Sequence, residues 1–229
     1  MGPEMARVTA ESKAITRERL IRTAAERFAR DGFEGASVDR ISIEAGFAKG
    51  TLYNYFPSKE ALFAAVIEQA ARHAARLYAG SFPGGTTRER LLALARADVQ
   101  VLREQEPFTR VLVREAMSFR PETYPLIVRH LAPFLAAVEA ALADGARRGE
   151  VRRDAPPAQL ALLFTGLLSM HYVQHWGSGG TWPALDDVPE LVVDAFLEGA
   201  APRPTRAPRR PATRPPRGRS GPRGARGRR

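Results

Sequence analysis

The stretch EAGFAKGTLYNYFPSKEALF, residues 44–63, crowds two phenols, an amide and an ammonium group into a few positions: Tyr53, Asn54, Tyr55 and Lys59, beside Gly46 and Gly50. These are polar ends on amphipathic stems, and a segment that only had to pack would not need so many. The chemistry they fit is contact with a polar partner. His171 and His175 stand four apart, which can put both imidazoles on one helix face and is compatible with a metal. No local Glu or Cys completes a ligand set, so pocket or interface histidines are expected, with no metal and no cofactor. A helical-bundle enzyme using His171 or His175 as acid or base is the alternative of another class. No nucleophile, carboxylate pair or phosphate loop accompanies them, so no enzyme is expected and no catalytic residue is assigned. The chain has no Cys, which removes disulfides, thiolate nucleophiles and Cys-based zinc sites together.

The elements that must position these groups are helices. Apolar residues recur at three and four in segment after segment and no run alternates with strand period, so the fold class is all-α. Thr16 is expected to cap a first helix, with Glu18 in its first turn, ending before Gly32. Ser37 caps a second, with Val38, Ile41 and Ala45 on one face and Gly46 stopping it. A short third helix is expected over Lys49–Tyr55, ended by Pro57, and Ser58 caps a long fourth that carries Leu62, Phe63, Val66, Ile67 and Ala70. Further helices are marked by Leu91 to Leu102, by Phe108 to Leu112, and by Tyr124 to Leu142 with a close near Gly149. Ala158 to Trp176 is apolar nearly all round and needs cover on two sides, whereas Val188 to Gly199 is ordinarily amphipathic.

Charge is distributed unevenly. Of 35 basic residues, 11 lie from Pro202 to Arg229 with no acidic residue among them, so residues 1–201 hold 24 basic against 25 acidic side chains, a net of −1. Any nucleic-acid affinity of the body must come from local placement of charge and donors. The division expected is a flexible N-terminus over 1–14, a small helical domain over 15–60, a larger one over 61–200 and a disordered Arg/Pro/Gly-rich basic tail over 201–229. The first residues lack the apolar core of a signal peptide, and the window Leu160–Val173 is shorter than the ~20 residues a bilayer needs. A cytoplasmic protein with no membrane partner is expected.

Residues 38–55 give helix, Gly-containing turn, short helix, the arrangement that projects a second helix into a major groove. Geometry alone leaves packing corners as a rival reading. The segment TRERLIRTAAERFARDGFEGASVDRISIEAGFAKGTLYNYFPSKEALFAAVIEQA resembles the N-terminal DNA-binding domain of TetR-family transcriptional regulators, through Ala25, Phe28, Gly32, Ser37, Ile41, Ala45, Gly46, Gly50, Leu52, Tyr53, Tyr55, Phe56, Ser58, Lys59, Glu60 and Leu62. The resemblance implies a homodimeric, ligand-responsive regulator, most often a repressor, binding a near-palindromic double-stranded operator. Expected DNA contacts are Ser37, Lys49, Gly50, Thr51, Tyr53, Asn54, Tyr55 and Lys59: Gly50 permits close approach, Lys49 and Lys59 offer charge, and Thr51, Tyr53, Asn54 and Tyr55 offer hydrogen bonds to phosphate or base edges. Leu52 and Phe56 are expected in the core. Ala48 departs from the Ser or Thr usual before the recognition helix, which puts one phosphate contact in doubt.

For the larger domain the resemblance implies that the last two helices pair with their copies into a four-helix bundle, and the two-sided apolarity of Ala158–Trp176 supports this independently. Interface candidates are Leu160, Phe164, Leu167, Leu168, Leu191, Val192, Ala195 and Phe196. A small apolar or aromatic ligand is expected, with Phe108, Met117, Phe119, Tyr124, Phe134, Phe164, Met170, His171, Tyr172 and His175 as pocket candidates and His130 as a further polar contact. A ligand-independent DNA-binding or protein-interaction regulator of the same fold remains the alternative.

Overall fold

A computed structural model describes residues 3–79, 84–118 and 120–201, with side chains described from Ala10 onward and that of Ala79 left out. Among the described residues there are eight α-helices, one 3₁₀ turn and no strand. Phe119 and the basic tail beyond Ala201 lie outside them. Helix α1 (Pro3–Gly35) reaches far upstream of Thr16, which is an interior position and not a cap. The cause is local: after Gly2 and Pro3 the chain meets no further Gly or Pro before Gly32, and Pro is well placed at a first helical position. The helix breaks at Gly32, whose φ is 74°.

Ser37 accepts a hydrogen bond from Arg40 N (3.4 Å) and starts α2 (Val38–Glu44). The third element is shorter than a helix over Lys49–Tyr55: it is a single 3₁₀ turn, Thr51–Asn54. The chain enters that turn through Gly50 at φ 86°, a left-handed conformation that a Cβ would strain, so the helix cannot extend back to Lys49. Ser58 Oγ accepts from Ala61 N (3.2 Å) at the start of α3 (Lys59–Ala79). There follow α4 (Thr87–Glu104), with a reciprocal Thr86/Glu89 capping box, α5 (Glu106–Ser118), α6 (Tyr124–Arg148), α7 (Pro157–Gly177) and α8 (Val188–Ala200).

Two apolar cores organise these elements. In the first, Leu20, Phe28, Ile41, Leu52, Phe56 and Phe63 close over one another, with Phe63 edge-on to both Phe28 and Phe33 at 5.3 and 5.1 Å. Each such buried side chain contributes roughly 1.5–3 kcal/mol relative to exposure. This core takes in the first half of α3 and reaches Phe108 and Val111 of α5 and Ile127 of α6. The second joins α4, α6, α7 and α8 through Leu94, Phe134, Val138, Phe164, Val192 and Phe196. Helix α6 is long and apolar enough by length and composition to cross a bilayer, which the window at Leu160–Val173 did not reveal. In the fold its buried residues, among them Ile127, Phe134, Val138 and Leu142, pack in these two cores.

Candidate functional site

Ser42, which the sequence reading did not single out, organises the helix-turn-helix. It is fully buried, donates its hydroxyl hydrogen to Ala48 O (3.0 Å) and accepts from Leu52 N (3.3 Å). A hydroxyl from the preceding helix thus satisfies an N–H at the start of the turn, where Ala48 has no side chain to do so. Its signal in the sequence was a hydroxyl between Ile41 and Ala45, both buried. Arg27 ties α1 to α2 by bonding Asp31 at 2.9 Å and both carboxylate oxygens of Glu44, and the Glu44 contact first of all raises its pKa.

With the turn fixed, side chains sort by face. Leu52 and Phe56 are in the core as expected, Tyr55 is half-buried against it, and Tyr53 (53% exposed) and Asn54 point outward. Lys49 is exposed and pairs with Asp39 at 2.9 Å. A Cβ on Gly50 would meet open space, so its surface is free for close approach. Ser37 is exposed while capping α2. Lys59 is turned inward, donating to Glu34 O (2.9 Å) and lying over the Phe33 ring (4.9 Å), so it must release both to reach another partner. Two groups absent from the sequence reading adjoin this surface: Arg17 lies over Phe56 (5.1 Å) and Arg19 over Phe47 (5.6 Å), both exposed. Stacking on rings that frame the turn pre-positions their guanidinium groups beside it.

A cavity of about 80 Å³ opens between α3, α4, α5, α6 and α7. Of the pocket candidates, Met117 and Phe134 line it, and Tyr172 reaches its wall through Asp98. His130 lines it as well. Phe108 and Phe164 are sealed in the two cores, Tyr124 is 47% exposed, and Met170 lies in a groove on the outer side of α7. His171 Nδ1 lies 2.7 Å from Leu167 O and His175 Nδ1 2.9 Å from Pro183 O, so both rings are engaged by backbone. Among the described residues no three metal-ligating side chains cluster.

Of the cavity's polar wall, Tyr172 was among the pocket candidates, whereas Tyr78 and Asp98 were not. Asp98 Oδ1 accepts from Tyr78 (2.6 Å) and Oδ2 from Tyr172 (2.7 Å). Asp98 itself lines the cavity. Burial pushes its pKa up, against the two phenol donors, which lower it, and burial with the nearby carboxylate pushes both phenols above their usual value. Nothing local in the sequence marks Tyr78 or Asp98, which are brought together with Tyr172 from α3, α4 and α7.

Helix α5 connects this cavity to the helix-turn-helix domain. One side carries Thr109, Val113 and Met117 to the cavity. On another, Arg114 donates to Ala29 O (3.1 Å) and Arg30 O (2.9 Å), and buried Glu115 accepts from Phe33 N (3.0 Å), holding the end of α1 across its Gly32 break.

The outer side of α7 and α8 is apolar. Leu162 and Leu163 are 65% and 62% exposed, and with Gly166, Leu167 and Met170 they border a groove closed by Leu160, Ala195 and Phe196. Phe164, Leu168 and Val192 are buried within their own chain, Leu160 and Phe196 nearly so, while Leu167, Leu191 and Ala195 are exposed. Two-sided cover for α7 is therefore half supplied.

Residues 20–66 match the family of bacterial regulatory proteins named tetR, and residues 84–200, about half the chain, match the tetracyclin repressor-like C-terminal domain. Among similar curated proteins, the transcriptional repressor AcnR of Corynebacterium efficiens is 26% identical over 193 residues, covering 82% of this chain and 96% of its own. Among solved structures, a tetR-family regulatory protein from Rhodococcus RHA1 has a TM-score of 0.69 at 20% identity, covering 81% of this chain and 97% of its own. The transcriptional regulator FadR from Bacillus subtilis, in complex with stearoyl-CoA, has a TM-score of 0.68 at 21% identity, covering 80% and 98%. The chain belongs to the tetR family of bacterial regulatory proteins and is a DNA-binding transcriptional regulator, not an enzyme.

Proposed function

We propose that this chain is a cytoplasmic repressor that binds a near-palindromic operator as a homodimer and leaves it when a small molecule enters the cavity. The observation that carries the reading is the outward face of the 3₁₀ turn, where Tyr53, Asn54 and the Gly50 backbone stand clear of a core that holds Leu52 and Phe56. Ser37, Lys49, Thr51, Tyr55 and, once released, Lys59 complete the contact set, with Arg17 and Arg19 as flanking phosphate ligands. The near-neutral body makes placement decisive, because each guanidinium or ammonium beside the turn works against acidic neighbours such as Asp39. The unpaired apolar face of α7 and α8 supports pairing with a second copy, which would set the spacing of the two turns.

Ligand response is supported by the double use of α5, since a guest that displaces Thr109, Val113 or Met117 acts on the helix that grips Ala29, Arg30 and Phe33. The AcnR name supports repression. Stearoyl-CoA in FadR supports ligand binding as a use of this fold, but a cavity of about 80 Å³ gives no ground for an acyl chain here. The test is selection of bound duplexes from genomic fragments, followed by titration of the recovered site. A palindromic site lost on Tyr53→Phe with Asn54→Ala supports the reading, and binding indifferent to sequence and to both substitutions refutes it. Operator must weaken effector binding by the factor by which effector weakens operator binding.

A further inference from the structure

Among the described residues, the cavity wall carries one carboxylate, Asp98, and no Arg or Lys. Its other polar groups are mostly acceptors. Thr109 and Thr165 donate their hydroxyl hydrogens to Gln105 O (3.2 Å) and Ala161 O (2.9 Å), one turn back on their own helices. Tyr78 donates its hydrogen to Asp98. Each of these oxygens therefore offers the cavity lone pairs and no proton. His130 Nε2 is buried without a hydrogen-bond partner, and burial holds the imidazole pKa down, so the ring enters as a neutral group. Glu68 opposes that shift, while Arg129 and Arg72 reinforce it. Ser169 is the one lining hydroxyl whose hydrogen has no described acceptor.

We propose that this cavity is the effector site and that it takes a compact alkyl amine, whose ammonium group is held by the Asp98 carboxylate. The inference rests on the reading of the chain as an effector-responsive regulator. An ammonium brings three donors to a wall rich in acceptors, with His130 Nε2 available to receive one in the matching tautomer. A carboxylate or phosphate would meet Asp98 with no cationic side chain in the described wall to offset the repulsion, at low local dielectric. Size sets the second limit. A cavity of about 150 Å³ takes benzene, with its six heavy atoms, so about 80 Å³ admits a group of about three heavy atoms against the small walls of Ala70, Ala74 and Ala116. The two tyrosine hydrogen bonds fix both Asp98 oxygens in place before the ligand arrives, so little ordering cost falls on binding.

The experiment is calorimetric titration of the full chain with three near-isosteric probes: ethylamine, ethanol and acetate. The amine is expected to bind at least about tenfold tighter than the alcohol, and acetate not at all. Asp98→Asn keeps the shape, and should bring the amine down to the level of the alcohol while leaving the alcohol unchanged. Equal affinity for amine and alcohol, preference for the carboxylate, or no amine binding overturns the proposal. If Asp98→Asn does not fold, the three-probe comparison on the unaltered chain still decides. Operator release is read separately, by anisotropy of the recovered duplex. A chain that binds the amine but no duplex refutes the operator reading and leaves the ligand assignment standing. A chain that binds its duplex but discriminates against the amine does the reverse.

Discussion

Replacing Ser42 with alanine asks whether one hydroxyl holds the recognition turn from beneath. Ala48 O would keep its bond from Thr51 N (3.0 Å), so the carbonyl is not stripped. Leu52 N, in a residue with no exposed surface, would lose its acceptor. A lost hydrogen bond costs about 1 kcal/mol and a buried donor left unpaired about 1–3, so a destabilisation of about 1–3 kcal/mol is expected in total. Part of it should appear as local opening of the turn instead of global unfolding. Amide exchange at Leu52 and Tyr53 reads the local part, and urea unfolding at fixed protomer concentration reads the global part. Operator affinity should fall roughly five- to thirtyfold, the equivalent of about 1–2 kcal/mol. Ser58→Ala is the control: it removes the α3 cap at a cost of about 1 kcal/mol and leaves the turn bonds intact. Exchange, stability and affinity all unchanged in Ser42→Ala would refute the reasoning.

Three other outcomes follow from the geometry. Gly145→Ala would place a Cβ 2.0 Å from buried Thr87 Oγ1, and is expected to cost at least about 1–3 kcal/mol, with Thr87→Ala recovering part of it in a double-mutant cycle of urea unfolding. Glu150, bonded by the Arg148 guanidinium and by Thr87 N at the start of α4, has its pKa lowered to about 2. Its stabilisation is therefore complete above its ordinary pKa near 4.5 and is lost as pH falls toward 2. The gap between wild type and Glu150→Gln, which solvent screening keeps under about 1 kcal/mol, should close over that range in acid titrations. Leu163→Glu adds a charge to the exposed α7 face, and should shift sedimentation toward the protomer with helix content by circular dichroism kept.

Features that depend on a few neighbouring residues were in part legible, although Thr16 proved interior to α1 and the third element only a single turn. Ser37 and Ser58 cap because a hydroxyl precedes an amphipathic run, and Leu52 and Phe56 are buried because they sit four apart on the side facing Phe28. The two-sided apolarity of α7 was visible in its leucines, but which of them face outward was not. Leu162 and Leu163 are outside because Leu160, Phe164 and Leu168 meet α8 and the rest of the second core first. Of the pocket candidates chosen by residue type, Phe108 and Phe164 are sealed in the cores while Met117 and Phe134 line the cavity, because bulk alone does not separate a wall from a filling.

The amino-acid sequence by itself determined an all-helical chain, its turn chemistry and the face of the recognition segment that must be apolar, since these follow from spacing over one or two helical turns. Tertiary structure alone decided that Ser42 closes the turn, that Lys59 folds back onto Phe33, and that Tyr78, Asp98 and Tyr172 meet at one cavity wall. Those contacts join residues that lie on different helices. Their meeting is fixed by how the helices pack, and helical periodicity carries no information about which neighbour a given face will find.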